Sequence, residues 1–191
     1  MHGCQKIIIK PSFKDYIAKE GEIVITIDPK MSFGTGEHQT TKLVLQMLEK
    51  YVKPEMKILD VGAGTGILSI AAIKLGAASA VAIDTDEVCY ENCKENCELN
   101  GVADHIKILT SGINDVREND FDLILANIQN NVLLEISNEI KKRLIKNKTV
   151  ILSGLLGQNF DEMHSHFSGD VCQNLVFIFK FDFEHRIGQR F

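Results

Sequence analysis

The sequence contains no tryptophan, only three prolines and no Cys-x-x-Cys pair. Without an indole, no tryptophan fluorescence can report on a ligand. The prolines (Pro11, Pro29 and Pro54) all lie in the first third, so nothing after Pro54 breaks up regular structure through a locked φ. Long apolar runs are also missing. None approaches the ~18–20 residues of a membrane span, and the longest stretch, Ile67 to Ile73, is broken by Ser69. The start, Met1-His2-Gly3-Cys4-Gln5-Lys6, has no apolar segment before the short Ile7-Ile8-Ile9 run. No secretory signal is therefore expected, and the chain reads as cytoplasmic with no membrane partner.

Basic residues are outnumbered, with 21 Lys and Arg against 26 Asp and Glu, a net charge of −5. That balance lacks the electrostatic footprint of a general nucleic-acid binder. Apolar residues at 45% and charged residues at 25% are ordinary globular usage, which excludes a disordered, collagenous or disulfide-scaffold protein. The 191 residues fit one α/β domain.

Five cysteines (4, 89, 93, 97 and 172) read as free thiols of a reducing compartment. Cys89, Cys93 and Cys97 recur every four residues and so align along one helix face. Thiolates are good soft-metal ligands. On a straight helix, however, the outer two lie roughly 12 Å apart at 1.5 Å per residue, too far to converge on one ion. The spacing favours a buried stripe of small apolar thiols, and no metal is expected.

After Pro54, short β-rich runs alternate with longer amphipathic stretches. Strands are expected at 57–61, 79–84, 106–109, 121–127, 149–153 and 175–183. Helices are expected at 65–75, at 86–100 before Gly101, and over a stretch with apolar positions Val132, Leu133, Ile136, Ile140 and Leu144. Two further strand candidates, 6–10 and 22–28, precede a loop over 29–41, in which Thr40 or Thr41 can cap a helix that buries Leu43, Val44, Met47, Leu48 and Tyr51. The expected fold is α/β: a Rossmann-like doubly wound, mostly parallel seven-stranded sheet with helices on both faces.

The first core strand runs into Asp60-Val61-Gly62-Ala63-Gly64-Thr65-Gly66. Glycines allow a tight turn and close backbone approach to a ligand. A dinucleotide loop needs G-x-G-x-x-G, whereas here the third glycine comes one place early and position 67 is Ile. Asp60 just before the loop would repel a phosphate but favour a cationic amino-acid group. Asp84 ends the next strand, where an acid can accept hydrogen bonds from both ribose hydroxyls. Loop and acids together point to S-adenosyl-L-methionine rather than a nicotinamide dinucleotide. They place Asp60, Gly62, Gly64, Gly66 and Asp84 around it.

The fourth core strand ends at Asn127, where an amide oxygen and neighbouring carbonyls could hold a neutral amine in line with a methyl donor, with Asn127 as the catalytic group. A plain helix N-cap is the competing role for Asn127.

The segments Asp28-Pro29-x-x-Ser32-Phe33-Gly34-Thr35-Gly36-x-His38-x-Thr40-Thr41, Leu59-Asp60-Val61-Gly62-x-Gly64-Thr65-Gly66-Ile67-Leu68-Ser69 and Ala126-Asn127-Ile128 resemble the PrmA family. So do Asn92-x-x-x-Asn96-x-x-x-Asn100-Gly101-Val102 and Ser153-Gly154-Leu155. These are bacterial class I methyltransferases acting on lysines and the N-terminal amine of protein eleven of the large ribosomal subunit. The resemblance covers roughly 6–157 and implies cofactor contacts at Thr41, Gly62, Asp84 and Asn127, with Phe33 in a loop covering the cofactor. It also implies a structural role for His38. Two positions depart from the family: Lys30 stands where it has Gly, and Ser32 where it has Ala. The expected organisation is one methyltransferase domain over 1–191, without the family's N-terminal substrate-recognition domain. The expected activity is N-methylation of a protein amine such as that of a ribosomal protein. Alternatives are a small-molecule or nucleic-acid-base acceptor, or a cofactor-binding fragment.

Overall fold

The computed structural model describes residues 6–28, 38–167, 172–179 and 186–188. The strands are β1 (Lys6–Pro11), β2 (Glu22–Ile27), β3 (Lys57–Val61), β4 (Ser79–Asp84), β5 (Ile106–Thr110), β6 (Phe121–Asn127), β7 (Leu144–Leu155), β8 (Cys172–Phe179) and β9 (Arg186–Gly188). The helices are α1 (Gln39–Tyr51), α2 (Ile67–Lys74), α3 (Glu87–Leu99), α4 (Asn130–Arg143) and α5 (Phe160–Phe167).

Seven strands form one sheet in the order β5-β4-β3-β6-β7-β8-β9, all parallel except β9, which runs antiparallel to β8. The chain winds outward from β3 to β5, then returns to β6 and winds the other way. Its switch point therefore lies between β3 and β6, where open α/β sheets hold their ligands.

Strand alternation sorts the core into two layers. Ile58, Leu123, Leu125, Ile151, Val176 and Ile178 join a cluster with α1, α2 and α3. Leu59, Ile124, Val150, Leu152 and Phe177 pack with α4 and α5 on the other face. β1 and β2 pair in parallel as a separate two-stranded sheet, with Ile7, Ile9, Ile23, Ile25 and Ile27 packed on the α1–α3 layer.

Several boundaries differ from the sequence reading. α2 starts at Ile67 rather than Thr65, because Gly66 at φ 78° is still left-handed. α1 is capped by His38, not by Thr40 or Thr41: the His38 ring nitrogen Nδ1 accepts from the Thr40 amide. α1 buries Leu45, whereas Leu43 and Tyr51 are only partly buried. Leu144 belongs to β7, not to α4, and pairs with Phe121 after the chain turns extended at the helix end. Val132 is 37% exposed and so is no core residue of α4. The last predicted strand is found as β8, while 180–183 lie outside the described residues. The seventh strand is β9, which the sequence pattern did not reveal.

Candidate functional site

The glycine loop closes β3 against β4: Gly62 and Ala63 both donate amide hydrogens to the Ile83 carbonyl, at 2.9 and 3.0 Å. Gly62, Gly64 and Gly66 all have positive φ, the region where a Cβ is costly. Two of them are also fixed by contact. A Cβ on Gly62 would collide with the Ile128 side chain, and one on Gly66 would lie 2.5 Å from the Cys93 sulfur.

Asp84 is clamped at the end of β4. Its Oδ2 accepts the Gly64 amide at 2.9 Å and its Oδ1 accepts the Asp86 amide at 3.1 Å. Each oxygen keeps acceptor capacity for a further donor.

At the switch point lies a cleft of about 620 Å³, inside the range of about 300–1,000 Å³ usual for small-molecule sites. Gly62, Gly64, Asp84 and Asn127 line it. Ile113, Cys89, Val132 and Ile136 supply an apolar wall. His38, Ile128 and Gly154 also face it. Asn127 does not cap α4, whose N-cap is Gln129. Gly154, at φ 88°, allows a close backbone contact: a Cβ there would lie 2.5 Å from the Ile128 carbonyl oxygen. The Ile128 peptide is thus seated between two glycines, one after β3 and one within β7.

Three predicted residues do not line the cleft. Gly66 is the N-cap of α2, lying under Cys93. Thr41 is buried in the first turn of α1, its hydroxyl without a partner among the described residues. Asp60 is fully buried on the α2 side of the sheet, where its Oδ2 accepts the Ser69 amide and hydroxyl at 3.1 and 2.8 Å. The parity of β3 is the reason, because Asp60 shares its face with Ile58. Phe33 lies outside the described residues.

Burial pushes the Asp60 carboxyl up to about 6; the two Ser69 hydrogen bonds oppose that shift, and the nearby charge of Asp84 adds to it. Among the described residues its Oδ1 is buried without a partner.

The cysteine stripe has become packing. Cys89, Cys93 and Cys97 are buried on α3, and a hydrogen bond with Cys97, together with burial, holds the Cys93 thiol well above the ordinary thiol range. A thiol so firmly protonated is a poor metal ligand. Among the described residues no group of His, Cys, Asp and Glu is arranged to hold a metal ion. Nor, among them, is any helix long and apolar enough to cross a membrane.

Comparison with known proteins agrees with this geometry. The family model described as "Ribosomal protein L11 methyltransferase (PrmA)" matches residues 1–173. The ribosomal protein L11 methyltransferase of Acetivibrio thermocellus is 43% identical over 163 residues, 85% of this chain and 52% of that protein. The protein of the same name from Clostridium botulinum is 41% identical over 160 residues, 84% of this chain and 51% of that one. The chain thus spans about half the length of the curated relatives it matches. Among solved structures, ribosomal protein L11 methylase from Lactobacillus delbrueckii subsp. bulgaricus superposes with a TM-score of 0.77 at 34% identity, over 85% of this chain and 83% of that one. An RNA methyltransferase from Salinibacter ruber, solved with S-adenosyl-L-homocysteine, shares the fold at a TM-score of 0.53 and 21% identity, over 57% of this chain and 72% of that one. With the glycine loop, the clamped acid and the Asn127 corner all in place, this chain belongs to the ribosomal protein L11 methyltransferase (PrmA) family.

Proposed function

We propose that this chain is the catalytic part of a cytoplasmic S-adenosyl-L-methionine-dependent N-methyltransferase acting on protein amines, with a ribosomal protein as substrate. The observation that carries the reading is the cleft at the switch point, where Asp84 stands on one side and Asn127-Ile128 on the other.

The residues fit this cofactor. Asp84 has acceptor capacity for the ribose hydroxyls, and the loop glycines admit backbone close to a ligand. Asp60 lies behind the glycine loop and outside the cleft lining, so its carboxylate favours the ammonium end by charge rather than by contact. When bound, S-adenosyl-L-methionine supplies an electrophilic methyl group on a sulfonium.

The chain's task is then to hold a neutral amine in place. An amine nucleophile must keep its lone pair free while its N–H groups are held, which acceptors accomplish without a strong base. The Asn127 amide oxygen and the Ile128 carbonyl are acceptors of that kind, and alignment of this sort can remove about 7–11 kcal/mol of barrier. The apolar wall of Val132 and Ile136 suits the methylene stem of a lysine.

Transfer of labelled methyl from S-adenosyl-L-methionine into ribosomal protein tests the reading. The wild-type chain should label amines, and Asn127→Ala should slow labelling by about a hundredfold or more while changing S-adenosylhomocysteine affinity far less. Calorimetry that detects no S-adenosylhomocysteine binding would sink the proposal.

Asp60 adds a pH signature. With its pKa near 6 in the fold, against an ordinary 3.8, the folded chain binds the proton more tightly than the unfolded one. Ionisation of Asp60 therefore costs stability as pH rises from 3.8 to about 6. Attraction of an ammonium by charge needs the ionised form, so affinity should run the other way. S-adenosylhomocysteine binding should be level above pH 7 and weaken as pH falls through about 6. Asp60→Asn should weaken binding at pH 7.5 and flatten the acid limb; an unflattened limb in that variant would assign the titration elsewhere.

A further inference from the structure

Asn92 and Asn96 on α3 and Asn100 at its C-cap recur every four residues, on a face beside the cysteine stripe, and nothing in the chemistry above uses them. Asn96 is fully buried. Its Oδ1 accepts the Asp28 amide at 2.8 Å, and its Nδ2 donates to the Thr65 carbonyl at 3.0 Å and to Asn92 Oδ1 at 3.2 Å. One side chain thus joins the last described residue before 29–37 to the glycine loop. Asn100 acts one turn further on. Its Oδ1 accepts the Thr26 amide at 2.9 Å, and its Nδ2 donates to the Thr26 carbonyl at 2.6 Å.

The spacing explains why two asparagines can do this. Two residues of strand advance about 6.7 Å, and four residues of helix about 6 Å. Thr26 and Asp28 therefore meet Asn100 and Asn96 in step, with α3 running against β2. The amide side chains stand in for a neighbouring strand along an edge that would otherwise present unpaired backbone groups.

We propose that Asn96, supported by Asn100, is a positioning residue for cofactor binding: it fixes where the chain departs at Asp28 relative to the glycine loop at Thr65. The claim rests on the reading of the cleft given above. Losing Asn96 frees both ends of this link at once, so the glycine loop and Asp28 no longer share one frame. The cost falls on cofactor affinity rather than on the chemical step.

The test compares Asn96→Ala with Ser137→Ala, a similarly buried polar deletion on α4 whose hydroxyl bonds only to Leu134 and His166 in the described structure. Asn96→Ala should raise the Kd for S-adenosylhomocysteine and the KM for S-adenosyl-L-methionine at least about tenfold, with kcat within about twofold of wild type. Amide hydrogen exchange at Asp28 should quicken by about tenfold, while Ser137→Ala should move neither quantity. Asn100→Ala keeps the test open if Asn96→Ala does not fold. It should raise the Kd about threefold and quicken exchange at Thr26. Unchanged Kd and unchanged Asp28 exchange in Asn96→Ala would overturn the proposal, as would an equal loss of affinity in Ser137→Ala. Should the wild-type chain fail to bind S-adenosylhomocysteine, the cleft reading falls instead, and exchange at Asp28 still decides whether the anchor exists.

Discussion

Gly154→Ala should slow methyl transfer by about a hundredfold or more, the loss expected when reacting groups are displaced by about 1 Å. The residue's φ of 88° already disfavours any side chain. More decisive is what the new methyl would strike: the Ile128 carbonyl oxygen at 2.5 Å and its carbon at 3.2 Å. These are backbone atoms, so no rotamer change relieves the clash. Retreat is also blocked, because the Ile128 side chain lies against Gly62 on the other side. The whole Asn127-Ile128 corner must therefore move, and with it the two acceptors proposed to hold the amine. Affinity for S-adenosylhomocysteine should change by no more than about fivefold, since Asp84 and the loop amides keep their bonds. Single-turnover rates set beside calorimetry separate the two effects. A rate within threefold of wild type would remove Gly154, and the Ile128 carbonyl with it, from the mechanism.

Asp84→Ala should weaken S-adenosylhomocysteine binding by about a hundredfold or more. Two hydrogen bonds from ribose hydroxyls to a carboxylate are worth about 1.5–3 kcal/mol each. The same carboxylate also sets the loop, through the Gly64 and Asp86 amides. Removing it thus deletes the acceptor and loosens the surface against which the ligand packs. Asp84→Asn distinguishes the two losses, because its amide can still accept from Gly64 while its charge is gone. An intermediate affinity is expected for Asp84→Asn, and a wild-type affinity for Asp84→Ala would place the ribose elsewhere.

The residues differ in how legible they were beforehand. Gly62, Gly64 and Asp84 were readable because their constraints are local: a tight turn after one strand and an acid at the end of the next. Asn127 was readable as the end of the adjacent strand in a parallel sheet. Asp60 shows where such reading needs one more step. Its place before the loop suggested direct contact with a ligand, but strand parity puts it with Ile58, under α2 and bonded to Ser69. Gly154 stood out only within a family motif, because the atom that forbids its side chain belongs to a distant residue, Ile128. The asparagine ladder was visible as a spacing and silent as to purpose, since its partners, Thr26, Asp28 and Thr65, are backbone groups that no pattern of side chains marks. Leu144 misled through its apolar character, which suited the end of α4 and the start of β7 equally well.

The seat of Ile128 between Gly62 and Gly154 also says something about the order in which this protein can come into being. A growing chain acquires the glycine loop early, then Asp84, then Asn127. Yet the wall behind Ile128 comes from β7, which must still be synthesised and paired beside β6. Until then the catalytic corner has a neighbour on one side only. On the proposed function, competence to transfer a methyl group thus arrives with the pairing of β7, after the glycine loop, Asp84 and Asn127 have all been made.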